Sequence, residues 1–193
     1  MPSPKIKPGS RVAPKEKSAH GLIIVYTGDG KGKTTAALGM ALRAVGRGWH
    51  VLMIQFGKGG WHYAELDSSQ RLAPDFEIIP MGLGFYKILD DKHTEEEHRA
   101  AAHQALNLAQ EKINSGAYDM LILDEIMGML ASQLLTLENV LPILDNKPHD
   151  LTLVLTGRAA PPEIIERADL VTEMREIKHP YQKGILAQKG IDY

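Results

Sequence analysis

Residues 21–37 read GLIIVYTGDGKGKTTAA, and this stretch decides how the rest of the chain folds. Its apolar run over 22–26 predicts a short buried strand. A glycine-rich turn follows, then Gly32-Lys33-Thr34 and an alanine-rich helix start. Glycines let a backbone wrap closely around oxygen atoms in dihedrals that a Cβ forbids. Amide N–H groups and the positive end of the next helix then point at an anion. Lys33 adds a point charge, and the Thr34 hydroxyl is placed to hold Mg²⁺. The stretch departs from G-x-x-x-x-G-K-[ST] at one position, where Thr27 replaces the first glycine. A Gly/Lys-rich surface turn would share the composition, but not the strand before it and the helix after it. A nucleotide loop is the better reading.

Working outward, a helix is predicted over 34–47, with Leu38, Ala41, Leu42 and Val45 on one face and Gly46 and Gly48 ending it. VLMIQF over 51–56 reads as a strand covered on both faces, with Gln55 at its C-terminal end. In open α/β sheets ligands bind at that edge. The loop over 57–65 combines glycines, aromatics and Glu65, as a site loop does. FEIIP over 76–80 is a third strand, and MGLGFY over 81–86 a second loop of glycines and aromatics. A long helix opens at Thr94-Glu95-Glu96-Glu97, a capping box, and runs to 115. Its histidines His93, His98 and His103 are five residues apart, a spacing that does not share a helical face. They read as solvated or structural.

DMLILDE over 119–125 is the acidic partner that a phosphate loop requires. Its terminal carboxylates, Asp124 and Glu125, would hold Mg²⁺ or its waters beside Thr34. Helices follow over 126–135 and 137–145, then a strand over 151–155 that runs into Thr156-Gly157-Arg158. Pro161-Pro162 starts a short helix to 168, and 170–174 is an edge strand. The alternation predicts an α/β, P-loop NTPase-like (RecA-like) fold, a mostly parallel sheet of about six strands with helices on both faces. The phosphate loop, Gln55, Phe85, Asp124, Glu125 and Arg158 all fall at C-terminal strand ends, which makes them one site.

The bulk numbers exclude several classes. With 22 basic and 24 acidic residues in 193, the net charge of −2 gives no global field to recruit nucleic acid or an anionic membrane. The absence of cysteine excludes disulfides, thiolate metal sites and cysteine nucleophiles. No signal peptide is visible, and the longest apolar stretch, 120–135, is broken by Asp124 and Glu125, so no membrane span and a cytoplasmic location are expected. Residues 1–20 are proline-rich and basic and read as a flexible arm; residues 21–193 read as a single domain.

From the residues alone the chain is a Mg-nucleotide protein. It shows no arginine-rich lid for a γ-phosphate and no Asp/His pair to serve as a base for a hydroxyl acceptor. The loops at 57–63 and 81–86 instead suggest a large flat partner, although the same aromatics could be core.

TGDGKGKTTAALGMALRAVGRG, the QF-x-KG loop, MGLGF, LILDE, LTGR and the terminal KH…AQKGIDY together resemble the P-loop ATP:corrinoid adenosyltransferases over residues 21–193. Threonine in place of the first glycine is that family's own form of the loop. The resemblance implies an alkyl-type transferase in which corrinoid cobalt(I) attacks C5′ of ATP, forms a cobalt–carbon bond and expels triphosphate. It implies a reversed nucleotide with its γ-phosphate deep in the loop. There Thr27, Gly28, Asp29, Gly30, Lys31, Gly32, Lys33, Thr34 and Thr35 would grip the triphosphate, with Mg²⁺ on Thr34 and Glu125. Lys33, Asp124 and Glu125 would be the catalytic set. Arg43, Gln55, Glu65 and Arg158 would contact the nucleoside and triphosphate. Phe85 and Tyr86 would lie under the corrin, with Lys87 where some members carry tryptophan. A homodimer and a flavoprotein electron donor are implied as partners, and the N-terminal arm is shorter than in some relatives.

Two other classes stay open on the residues. A RecA-like ATP hydrolase or kinase would use Asp124 or Glu125 to orient water or a hydroxyl, and would release ADP and phosphate. A sensing module would bind ATP without turnover.

Overall fold

In the computed structural model, which describes residues 20–60, 62–84, 86 and 91–192, the strands are β1 (Ile23–Thr27), β2 (Val51–Gln55), β3 (Phe76–Pro80), β4 (Met120–Asp124), β5 (Thr152–Thr156) and β6 (Leu170–Glu173). They pair in the order β3-β2-β4-β5-β1-β6, and every pairing is parallel. Every residue of β2, β4 and β5 is buried, which is why their sequences are near-continuous apolar runs rather than alternations. Pro80, which cannot donate to a ladder, sits on the edge strand β3.

Alternate side chains feed two separate cores. Ile23, Val25, Leu52, Ile54, Leu121, Leu123, Leu153 and Leu155 face one side, where α3 (Glu95–Asn114), α4 (Ile126–Ala131), α5 (Leu137–Asp145) and α6 (Pro162–Arg167) cover them. Ile24, Met53, Ile122 and Val154 face the other side and meet α1 (Lys33–Val45). The α/β expectation with helices on both faces holds.

Two local expectations do not. The buried face of α1 is Lys33, Ala37, Ala41 and Ala44, and Leu42 is 61% exposed. Alanines let α1 lie close on the sheet, so the small residues rather than the leucines mark its inner face. Residues 64–71, lacking an apolar period, form a short helix that the pattern did not announce, α2 (Ala64–Arg71).

The register sets up the site. β1, β2, β4 and β5 each end in a buried polar residue, Thr27, Gln55, Asp124 and Thr156, and Gln55 lies directly beside Asp124 across the β2–β4 pair. At that edge the loops after β2 and β3 lie backbone on backbone. The N–H of Met81 donates to Gln55 O at 3.0 Å, and a Cβ added to Gly59 would stand 1.8 Å from Gly82 O.

Candidate active site

Loop 28–32 joins β1 to α1 through Gly28 at φ 94° and Gly32 at φ 118°. A Cβ on Gly28 would meet Met174 O at 2.4 Å, so the loop's close approach to the chain after β6 requires glycine there. Among the described residues no side chain caps α1, and its first turn carries no acid. Its opening amides are therefore left for an anion. The contrast is α3, whose Thr94–Glu97 capping box and first-turn glutamates Glu95, Glu96 and Glu97 satisfy their own helix end. Not every loop amide is free, contrary to the grip expected from Gly28 to Thr35. Gly30 N–H donates to Met174 O at 2.7 Å. Thr27 serves as an anchor, being buried, with its hydroxyl accepting from Ala160 N–H at 3.1 Å and tying the loop after β5 to β1. Lys33 curls into its own loop, Nζ donating to Gly28 O at 2.7 Å and Gly30 O at 2.9 Å.

The acidic partner closes on this loop. Asp124 is fully buried, and its Oδ1 accepts from the hydroxyls of Thr34 at 2.9 Å and Thr156 at 2.8 Å. The structure thus gives Thr34 to Asp124, where the resemblance pairs it with Glu125 around a metal. Glu125 leaves the strand with φ 63° at the N-cap position of α4 and lines the same cleft as Thr34 without bonding it among the described contacts. The strand's next amide, Glu125 N–H, donates to Thr156 Oγ1 at 2.9 Å. Thr156 is a site residue that sequence reasoning passed over. The legible signal was a polar residue ending an apolar strand, the same signal that marked Gln55.

Gln55 donates from Nε2 to Asp124 Oδ2 and Glu65 Oε1, both at 3.3 Å. Glu65, from the first turn of α2, forms an ion pair with Lys58. Lys58 in turn stands 4.4 Å from the centroid of the Tyr63 ring. Lys58 is the second residue that sequence reasoning gave no role, although it stands in the QF-x-KG motif of a loop read as a site loop.

These groups border a cleft of about 430 Å³ lined by Lys31, Lys33, Thr34, Lys58, Glu65 and Glu125, with Gly190, Ile191 and Asp192 of the C-terminal segment as another wall. Lys31 pairs there with Asp192.

Other expected residues lie elsewhere or are engaged. Arg43 is ten residues beyond Lys33, about 15 Å along α1, and lines a different hollow with Leu22, Met40 and Trp49. Arg158 is exposed at the β5 loop, close enough for its charge to act on Lys33 and Glu125. Asp29 is exposed on the loop. Tyr86 is turned toward α3, its hydroxyl on Glu95 at 2.6 Å and its ring 5.2 Å from that of His98. Phe85 and Lys87 lie outside the described residues. His98 is structural as expected, buried against Asp91 at 3.0 Å. His93 precedes the helix, so the helical spacing rule does not govern it, and its ring comes within 5.9 Å of that of His98. Among the described residues no group of His, Asp or Glu side chains forms a three-membered metal cluster.

A family model for ATP:corrinoid adenosyltransferase BtuR/CobO/CobP matches residues 19–193. The chain belongs to this family. It is 39% identical over 189 residues to a corrinoid adenosyltransferase of Escherichia coli K12, covering 98% of this chain and 93% of that one. With the corrinoid adenosyltransferase CobA of Salmonella typhimurium LT2 it shares 37% over 184 residues, covering 95% and 91%. Likeness to solved structures is distant. The assembled ATPase EscN of an enteropathogenic E. coli secretion system matches at 16% identity and a TM-score of 0.48, covering 85% of this chain and 45% of that one.

Electrostatics in this family member follow from burial. Burial pushes the Asp124 carboxyl up, against the pull of the Thr156 hydrogen bond, the Lys58 charge and the bonds from Thr34 and Gln55. Burial pushes the Lys33 ammonium down, opposed by Glu125. Glu125 is raised first by burial and then by the charge of Asp124, while Lys33, Arg158 and Lys58 pull it down. An acid with a raised folded value binds more protons folded than unfolded between its two pKa values. Its contribution to stability is therefore full at low pH and is lost as pH rises through that window. Glu125→Gln is expected to melt higher than the parent at neutral pH, with the gain vanishing below about pH 4, where the parent's carboxyl is protonated in both states. Thermal melts across pH check this; a variant that melts lower at neutral pH would contradict it.

Proposed function

We propose that the cleft binds ATP with its triphosphate on the loop over 28–35, and that the chain transfers the 5′-deoxyadenosyl group to cobalt(I) of a corrinoid, releasing triphosphate. One observation carries this reading. The family match runs from the phosphate loop to the C-terminal segment, and these two distant parts of the chain meet on one cleft through Lys31 and Asp192.

The residues suit a hard divalent cation. Hydroxyl and carboxylate oxygens converge at Thr34 and Asp124, and Gln55 Oε1 is buried beside them with no hydrogen-bond partner among the described residues. Thr34, Asp124 and Glu125 would hold Mg²⁺, which when bound supplies positive charge against the triphosphate.

In the reaction the cobalt electron pair forms the cobalt–carbon bond, the C5′–oxygen bond breaks, and its pair leaves on the triphosphate. The nucleophile is the reduced metal of the substrate, so the protein supplies no base for it. Its own residues orient the nucleotide and neutralise the leaving group, with Lys33 and Lys31 as cations and the α1 amides as donors. The corrinoid is assigned to the surface formed by the packed loops after β2 and β3. A homodimer, a flavoprotein reductant and a cytoplasmic location belong to the same proposal and rest on the family.

The test mixes the protein anaerobically with Mg-ATP and chemically reduced cob(I)alamin. Light-sensitive adenosylcobalamin with intact triphosphate is the expected result. ADP and phosphate without an alkylated cobalt would move the chain to the hydrolase class.

A further inference from the structure

We propose that Lys58 is a triphosphate-binding residue of the transfer reaction, aimed into the cleft by Glu65. The proposal rests on the assignment of that cleft to the triphosphate. Lys31 and Lys33 come from the phosphate loop, whereas Lys58 comes from the loop after β2 and reaches the same cleft from another wall. Its side chain is 13% exposed and that of its partner Glu65 is 12% exposed, against 44% and 25% for the pair Lys31–Asp192. Burying an ion pair is costly unless further contacts compensate. Here they do: Glu65 also accepts from Gln55 Nε2 at 3.3 Å, and the ammonium lies over the Tyr63 ring at 4.4 Å. The lysine is thus held by Glu65 and Tyr63, with Gln55 fixing Glu65 in turn.

An ammonium has three donors, and Glu65 uses one. The remaining donors lie at a cleft wall, where the field of Lys58 already reaches both Asp124 and Glu125. The reaction creates a need for such a group. Cleavage of the C5′–oxygen bond puts one more negative charge on the triphosphate than ATP carried, and that charge grows in the transition state. A cation fixed beforehand stabilises this change more than it stabilises the ground state. Glu65 becomes a positioning residue for Lys58 rather than a contact to the nucleoside.

The experiment compares Lys58→Ala, Lys58→Arg, Lys33→Ala and the pair Lys58→Ala with Glu65→Gln. The double variant leaves no unpaired buried carboxylate, so it keeps the test alive if the single alanine variant fails to fold. Calorimetry measures binding of inorganic triphosphate and of adenosine, and steady-state assays give kcat and KM for ATP and for reduced corrinoid. In the double variant triphosphate affinity is expected to fall roughly 10- to 100-fold, the loss of one charge-assisted contact. Its kcat is expected to fall about 10²-fold, with adenosine affinity, corrinoid KM and melting temperature near the parent's. Lys58→Arg keeps part of the triphosphate affinity. A double variant that binds triphosphate like the parent, while Lys33→Ala does not, overturns the role of Lys58. If Lys33→Ala also binds triphosphate normally, the cleft assignment itself fails, and the proposal with it.

Discussion

Lys33→Ala is expected to cut kcat/KM for ATP by roughly 10³-fold, about 4 kcal/mol of transition-state stabilisation. The side chain is buried at the base of the loop, and its ammonium is held by Gly28 O and Gly30 O. A phosphate oxygen offers that ammonium a charged partner in place of neutral carbonyls, a stronger bond by about a factor of two. Removing it leaves the two carbonyls within reach of water at the cleft and places a good helix former at the first position of α1, so the fold is retained. Lys33→Arg is not a rescue, because a planar guanidinium does not fit a cradle shaped for a compact ammonium. The anaerobic adenosylation assay decides. Activity of the alanine variant within tenfold of the parent would remove the phosphate-loop assignment.

Gly59→Val is expected to open the other half of the site. The added Cβ would lie 1.8 Å from Gly82 O and 2.6 Å from Gly82 C, backbone atoms that cannot swing aside as a side chain can. Gly82 is equally constrained, since its own Cβ would stand 2.3 Å from Phe56 O. The two loops must part, which costs about 1–3 kcal/mol of stability as overpacking generally does. Lys58 precedes Gly59 on the same loop, so the KM for corrinoid should rise by roughly tenfold or more and that for ATP should rise with it. Urea unfolding and a two-substrate kinetic series measure both. An unchanged corrinoid KM in a destabilised variant would take the corrinoid away from these loops.

Much of this molecule could be read from residues in order. Continuous apolar runs at β2, β4 and β5 reported burial on both faces, and the strand–glycine–GKT–helix order reported the loop between β1 and α1. Thr94 with Glu97 fixed the start of α3 to the residue, because a capping box is written in four consecutive positions. What failed had two causes. The inner face of α1 was misjudged because burial there depends on how closely the helix lies on the sheet, and α2 carries no apolar period to betray it.

The sequence by itself determined the strands and most of the helices, the parallel α/β class, the family and the sheet edge that carries the candidate site. Each of these follows from local order, periodicity or resemblance along the chain. Only the tertiary structure decided who partners whom at that edge. Thr34 goes to Asp124, Glu125 leaves the strand at a positive φ, Lys58 is held by Glu65, and Asp192 returns to Lys31 from the far end of the chain. The physical reason is that a hydrogen bond or ion pair depends on register and loop path in three dimensions. β2 and β4 place Gln55 beside Asp124 although 69 positions separate them, and no spacing rule along the chain encodes that.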